Sequence, residues 1–120
     1  MFKSIGFALA TAFLAFGLGS SAITPASAHP AQDIVASNWK FTPGTITVHL
    51  NEETTLNFTS SEGVHGVESA DLGIPMTTIM PNKTVTVTFT PKKLGTYKVH
   101  CAVVCGAGHD DMVLTVNVVQ

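Results

Sequence analysis

The sequence predicts an all-β domain, built as a sandwich or barrel of antiparallel strands. Short stretches alternate apolar and polar residues with a period of two, most clearly at residues 84–89 and 113–119. Turn-forming residues separate these stretches at near-regular intervals, for example Pro43-Gly44 and residues 91–95. Beyond the first part of the chain, no window shows a sustained helical period. Several short strands joined by frequent turns are typical of a sandwich or barrel.

The alternating pattern also predicts the strands and the core. We expect strands at residues 46–50, 54–58, 84–89, 97–100 and 113–119. Because successive side chains of a strand point to opposite faces, one face of each strand lies toward the core. The predicted core consists of Trp39, Phe41, Ile46, Val48, Leu56, Phe58, Val85, Val87, Phe89, Tyr97, Val99, Leu114 and Val116.

The first residues have the pattern of a secretory signal peptide. Lys3 precedes an apolar run over residues 5–18, and small residues follow up to Ala28. A retained membrane anchor is the alternative, but the run is shorter than the ~18–20 residues that a spanning helix needs. We therefore expect residues 1–28 to be removed, which leaves one domain at residues 29–120 in the periplasm or another extracytoplasmic compartment.

The charge of the chain excludes several classes of partner. Its formal net charge is −2, and its six Lys and Arg residues are not clustered. Nucleic acids and anionic membrane surfaces are bound through basic patches, so neither is an expected partner. A monomer that meets other proteins transiently is expected.

Two cysteines, Cys101 and Cys105, are the only thiols of the chain. In an exported protein a pair of cysteines normally forms a disulfide, which is the simplest alternative here. A bridge between residues so close in sequence closes a very small loop and stabilises little. It would also leave unexplained the histidine and methionine that follow.

These residues form one compact motif between two predicted strands. The motif is Cys101-x3-Cys105-x3-His109-x2-Met112. Thiolates, an imidazole and a thioether are soft donors, a mixture that favours copper, whereas zinc sites rarely use methionine. His65, in a glycine-flanked stretch after the predicted strand 54–58, is the best candidate for a donor from elsewhere in the chain.

At this stage the number of copper ions is open. A mononuclear blue-copper site uses two histidines, one cysteine and a weak axial methionine. His65, Cys105, His109 and Met112 satisfy that set, which would leave Cys101 as a free thiol beside the metal. A thiol in that position is exposed to oxidation.

The motif resembles the ligand loop of the CuA domain, the dinuclear copper domain of cytochrome c oxidase subunit II and of nitrous oxide reductase. The resemblance extends over nearly all of residues 29–120. It includes Trp39-Lys40-Phe41-Thr42-Pro43 with Ile46-Thr47-Val48, then Val64-His65-Gly66-Val67, and residues 81–97 before the cysteines.

The resemblance implies a Greek-key β-sandwich or barrel of the cupredoxin type and a centre of two copper ions. Cys101 and Cys105 would bridge both ions, and His65 and His109 would each bind one. Met112 would be a weak axial ligand, and the main-chain carbonyl of Val103 the other axial donor. The family more often has a larger or polar residue in the position of Val103.

The function implied is electron transfer without bond-making catalysis. The expected partners are redox proteins such as a cytochrome or a terminal oxidase. The alternative is a role inside an enzyme, as the subunit through which electrons enter a terminal oxidase. A third class, copper storage or delivery, predicts exchangeable copper. Asp110 and Asp111 flank the ligand His109 and are expected to form a negative rim for a positively charged partner.

Five further residues carry potential donors but are not expected to bind the metal. Signal cleavage would make His29 the N-terminal residue, which could chelate copper through its amine and ring, but a small domain has little room for a substrate face. We expect His49 to be solvated and His100 to be structural or on the surface. Met76 and Met80 are expected to pack in the core or in a loop.

Overall fold

The structure is a computed structural model that describes Gly17 and residues 29–120, so the predicted signal peptide lies almost wholly outside the described residues. The described part contains nine β-strands and one short 3₁₀ helix at His109–Asp111. The strands are β1 (Gln32–Ser37), β2 (Lys40–Thr42), β3 (Thr45–His49), β4 (Thr54–Ser60), β5 (His65–Ser69), β6 (Ile74–Ile79), β7 (Val85–Phe89), β8 (Gly95–His100) and β9 (Val113–Val119). Within these residues no helix is long and apolar enough to span a membrane. The predicted all-β class is confirmed.

The strands form two main sheets and a hairpin. One sheet has the order β2-β1-β4-β7 and the other has the order β3-β9-β8, while β5 pairs with β6. Two of the pairings are parallel, β1 with β4 and β3 with β9, although the sequence predicted antiparallel strands throughout. The chain crosses from one sheet to the other between β3 and β4. Neighbours in a sheet are therefore often distant in sequence, and nothing forces them to run in opposite directions.

The core lies between the two sheets. The alternation of β4 is complete, with Thr54, Leu56, Phe58 and Ser60 buried and the residues between them half-buried. Ten of the predicted core residues are buried, whereas Val85 and Tyr97 are half-buried and Trp39 is exposed. The core also receives residues that the sequence did not predict: Ile34, Ala36, Val67, Leu72, Ile74, Ile79 and Val118.

The hairpin of β8 and β9 carries the cysteine motif at one end. The strands pair antiparallel up to His100 and Val113, and residues 101–112 form the loop between them. Cys101 continues the pairing, because its N–H donates to the carbonyl of Met112 at 3.0 Å. The same residue forms an isolated antiparallel bridge with Val67 of β5. The loop is thus fixed at its base from two sides.

Candidate metal centre

The two cysteines lie side by side as free thiols. Their Sγ atoms are 3.4 Å apart, far beyond the ~2.05 Å of a disulfide bond. Two thiolates that share a tetrahedral ion at metal–sulfur distances of about 2.3 Å would be separated by about 3.8 Å. A small movement of either sulfur would therefore let both bind the same metal.

His65 lies beside the first thiol and is fully buried at the start of β5. Its Nδ1 is 3.9 Å from Cys101 Sγ, and its Nε2 is 2.7 Å from the carbonyl oxygen of Glu62. Because a carbonyl can only accept, Nε2 carries the proton and Nδ1 presents its lone pair to the thiol. A hydrogen bond of this kind fixes the tautomer and orientation of metal-binding histidines.

The second thiol has its own histidine and a thioether. The Nδ1 atom of His109 is 3.7 Å from Cys105 Sγ, and Met112 Sδ is 3.9 Å from the same sulfur. Met112 is completely buried, whereas His109 is half-buried on the 3₁₀ helix. The donors therefore divide into two groups, with one imidazole next to each sulfur.

The Val103 carbonyl completes the group of predicted ligands. It accepts a hydrogen bond from the Cys101 thiol at 3.2 Å. The Val103 side chain packs so closely on Gly66 that a Cβ added there would lie 2.7 Å from Val103 Cγ2. The Ala102 N–H also donates to the Gly66 carbonyl at 3.0 Å. Gly66 thus permits the loop to lie directly on β5, with the carbonyl of Val103 turned toward the sulfur atoms.

Trp39 covers the other side of the loop, a role that the sequence did not predict. Its indole N–H donates to the carbonyl of Cys105 at 3.1 Å. A Cβ added to Gly108 would lie 2.6 Å from two atoms of the Trp39 indole, and one added to Gly106 would lie 3.0 Å from the indole nitrogen. The ring is 41% exposed because it packs on loop backbone rather than in the core. The paired loop glycines were the sequence signal that a bulky group lies against them.

Burial in the loop raises the pKa of the Cys105 thiol to about 11. The main cause is desolvation, which disfavours the thiolate, and the hydrogen bond and negative charge of Cys101 add to it. The thiolate is the form that binds a metal, so metal uptake at neutral pH must displace the proton of this thiol.

The remaining candidate residues lie outside this group. His100 is exposed, as predicted, and His49 is half-buried at the end of β3. Met76 and Met80 are 48% and 43% exposed, so a core position for them was wrong. Met76 lies at an exposed position of β6, whose end residues Ile74 and Ile79 are buried, and Met80 follows that strand.

We expect the substitution Gly108→Ala to lower the free energy of unfolding by about 1–3 kcal/mol, because the new methyl group overlaps the Trp39 ring. The backbone of Gly108 has φ −94°, which alanine adopts readily, so steric overlap is the only cost. Chemical denaturation measures the change. The fluorescence of Trp39, which is the only tryptophan, should shift to the red as the ring leaves the loop.

Gly44→Ala is the matched control, because a Cβ there meets only an ordinary contact of 3.5 Å. If the two alanine variants had equal stability and equal fluorescence, the packing of Trp39 on the loop would be disproved.

The raised pKa of Cys105 predicts slow alkylation of the metal-free protein at neutral pH. Since only the thiolate reacts, the rate constant at Cys105 should rise about tenfold per pH unit and level off near pH 11. Iodoacetamide labelling followed by peptide mass analysis measures this profile. The denatured chain should level off near the ordinary value of 9.0, and a folded profile that levels off there as well would contradict the prediction.

Comparison with known proteins identifies the family and the fold of the domain. The family model of the cupredoxin-like domain matches residues 8–114. Cytochrome c oxidase subunit 2 of Thermus thermophilus is 30% identical over 87 residues, which are 71% of this chain and 62% of that protein. The chain thus spans less than two thirds of the curated relatives it matches.

Two solved structures share the fold. The periplasmic domain of subunit II of cytochrome oxidase (CoxB) of Bradyrhizobium japonicum superposes with a TM-score of 0.69 at 16% identity, over 78% of this chain and 86% of that one. The mixed disulfide intermediate between a thioredoxin-like protein and subunit II gives a TM-score of 0.64 at 16% identity, over 78% and 84%. The predicted resemblance to subunit II and the predicted cupredoxin-type fold are confirmed. Because the family match covers most of its residues, this chain belongs to the cupredoxin-like family.

Proposed function

We propose that this chain is an exported electron carrier whose loop at residues 101–112 holds two copper ions. The observation that carries the proposal is the symmetry of the donors. Two thiols lie 3.4 Å apart, and a different histidine lies beside each, 3.9 Å from Cys101 and 3.7 Å from Cys105. One pair of sulfurs with one imidazole on either side offers two equivalent metal positions rather than one.

The donor set fits copper. Cys101 and Cys105 would bridge the ions, with His65 on one and His109 on the other, while Met112 and the Val103 carbonyl would be weak axial donors. Thiolate, imidazole and thioether together select copper among the common metals. Bound copper supplies a reversible one-electron change that the protein side chains lack.

The protein contributes rigidity and exclusion of water. His65 and Met112 are fully buried and Cys101 is 3% exposed, so three donors are held by the packed core. The hydrogen bond from His65 to Glu62 and the one from Trp39 to Cys105 hold the imidazole and the loop in place. Donors that do not move between oxidation states keep the reorganisation of each electron transfer small.

A mononuclear site is less well supported. It would pair His65 with Cys105, but the sulfur next to His65 is that of Cys101. The blue-copper set would therefore have to leave the nearest thiol unused. A ligand atom of His65 also lies within 4.8 Å of the Cys105 sulfur, but His109 lies closer to it, at 3.7 Å. Each sulfur thus has its own nearest histidine, which favours the dinuclear arrangement.

The surface around the loop is suited to transient contact with a redox protein. Val104 is 84% exposed in the loop, and Trp39, which packs on the same loop at Cys105 and Gly108, is 41% exposed. Asp110 and Asp111 are exposed on the 3₁₀ helix of the same loop. An apolar contact area with a negative rim fits a partner with a positive patch, such as a cytochrome.

The relatives suggest two further relationships. Subunit II of an oxidase is part of an enzyme complex, so a role in delivering electrons to a terminal oxidase is the second candidate, and co-purification with an oxidase would favour a subunit over a free carrier. The mixed disulfide of a similar domain with a thioredoxin-like protein supports a partner that keeps Cys101 and Cys105 reduced for copper loading.

Export of the domain follows from the predicted signal peptide at residues 1–28. The mass of the protein recovered from the periplasm tests it, because cleavage after Ala28 leaves a chain that begins at His29.

Electron paramagnetic resonance of the partly oxidised, copper-loaded protein tests the number of ions. We expect the hyperfine pattern of one electron shared equally by two copper nuclei. Cys101→Ser should abolish this pattern, because one bridge is lost. His100→Gln is the matched control, since His100 is exposed and adjacent to Cys101, and it should leave the spectrum unchanged.

The contrary result is the hyperfine pattern of a single copper nucleus in the unmodified protein. If Cys101→Ser retained that pattern and Cys105→Ser lost it, the dinuclear proposal would be overturned in favour of the mononuclear one.

A further inference from the structure

A second group of potential metal donors lies at the other end of the sandwich. It consists of His29, His49 and Glu52, and one ligand atom from each lies within 4.8 Å of the other two. The parallel pairing of β3 with β9 sets His49 opposite Val119, whereas the cysteine loop ends at Val113. At ~3.3 Å per residue, the length of β9 separates the two groups by about 20 Å.

The two imidazoles lie against each other and beside the carboxylate of Glu52. The rings of His29 and His49 stack with centroids 4.5 Å apart and planes inclined by 14°. His49 Nδ1 lies 3.0 Å from the main-chain oxygen of Gln120, which can only accept, so Nδ1 donates to it and the lone pair is on Nε2. His29 Nε2 contacts a carboxylate oxygen of Glu52. The hydrogen bond of His49 to a main-chain oxygen is the second contact that metal-binding histidines commonly make.

The backbone fixes two of the three donors. His49 is the last residue of β3. In the turn that follows, the N–H of Glu52 donates to the His49 carbonyl at 3.3 Å, which brings Glu52 back beside His49. The N–H of Leu50 donates to Val119 and that of Asn51 to Pro91, both at 2.8 Å. The turn is therefore tied to β9 and to the segment after β7.

His29 is positioned by the start of β1. Gln32, three residues later, donates from its side-chain amide to the Thr47 carbonyl of β3 at 3.2 Å. His29 and Glu52 have side chains 45% and 40% exposed, so both can rotate. Donor atoms that lie about 2.0–2.1 Å from a tetrahedral ion are about 3.3 Å from one another. Rotation of the His29 and Glu52 side chains would bring the three donor atoms, now within 4.8 Å of one another, to that separation.

We propose that His29, His49 and Glu52 form a second metal site that binds one divalent ion of the zinc or copper(II) type. Two imidazoles and a carboxylate are the donors such ions prefer, and no thiolate is present to select copper(I). The carboxylate offsets part of the ionic charge. The ion would link the segment before β1 to the turn after β3 and so join the two sheets at the end remote from the cysteines. Removal of residues 1–28 would add the amine of His29 as a fourth donor.

The test is a zinc titration by calorimetry of the full chain carrying Cys101→Ser and Cys105→Ser. Removing both thiols makes the result independent of whether the cysteine loop binds copper. In the full chain the His29 amine is in a peptide bond, so the titration reports the three side chains alone. We expect one zinc ion per chain, and at least about tenfold weaker binding after either His29→Gln or His49→Gln.

His100→Gln is the matched control, because it removes an exposed histidine at the other end of the fold and should leave the affinity unchanged. Zinc binding that is unaffected by His49→Gln, or no binding at all by the folded chain, would overturn the proposal.

Nuclear magnetic resonance of the reduced, unmodified chain covers the case in which the serine variant does not fold. Once the cysteine loop is saturated with zinc, further zinc should shift the ring signals of His29 and His49. If neither signal moves, the second site does not exist.

Discussion

The candidate metal centre depends on the main-chain pairing that closes the loop between β8 and β9. The Cys101 N–H donates to the Met112 carbonyl at 3.0 Å, and Cys101 also bridges Val67 of β5. These contacts hold Cys101 and Met112, the first and last donors of the loop, next to each other and beside β5, the strand that begins with His65. Without them, the donors would be spread along a flexible segment, and ordering them would cost conformational entropy on each metal binding.

Two close contacts keep the rest of the loop in the same position. Val103 packs on Gly66 from one side, and Trp39 packs on Gly108 from the other. Because Gly66 and Gly108 have no Cβ, the side chains of Val103 and Trp39 can pack directly on their backbone. The loop thus packs between β5 and the segment joining β1 to β2, and its two sulfur atoms lie 3.4 Å apart. In the metal-free protein, burial of Cys105 in this loop, with a smaller contribution from the neighbouring Cys101, raises the pKa of its thiol to about 11.

The sequence predicted that the side chains of the cysteine motif lie together, because they are close in sequence. Cys101, Cys105, His109 and Met112 are separated by short spacers, and a loop between two strands can gather them in few ways. His65 is distant in sequence, and it was predicted from its glycine-flanked position after the strand at residues 54–58, which the family resemblance then supported. The packing of Trp39 on the loop could not be predicted, because its partner Cys105 is 66 residues away and its aromatic ring suggested a core position.

The strands β1, β5 and β6 were not predicted from the sequence. β1, β5 and β6 are short or interrupted by glycine, serine and proline, so their alternation is weak, yet Ile34, Val67 and Ile79 are fully buried. β1 pairs with the distant β4 as well as with β2, whereas β5 and β6 pair with each other and contact β8 and β7. The parallel pairing of β3 with β9, which brings His49 to the C-terminal end of the fold, is likewise set by the crossing between sheets rather than by any local pattern.

X-ray absorption at the copper edge of the loaded protein tests the central claim most directly, since it measures the neighbours of the metal itself. A dinuclear centre on Cys101 and Cys105 predicts two sulfur neighbours for each copper and a second copper at short distance. A spectrum with one sulfur neighbour and no metal neighbour would contradict the account, because the two thiols would then not be shared.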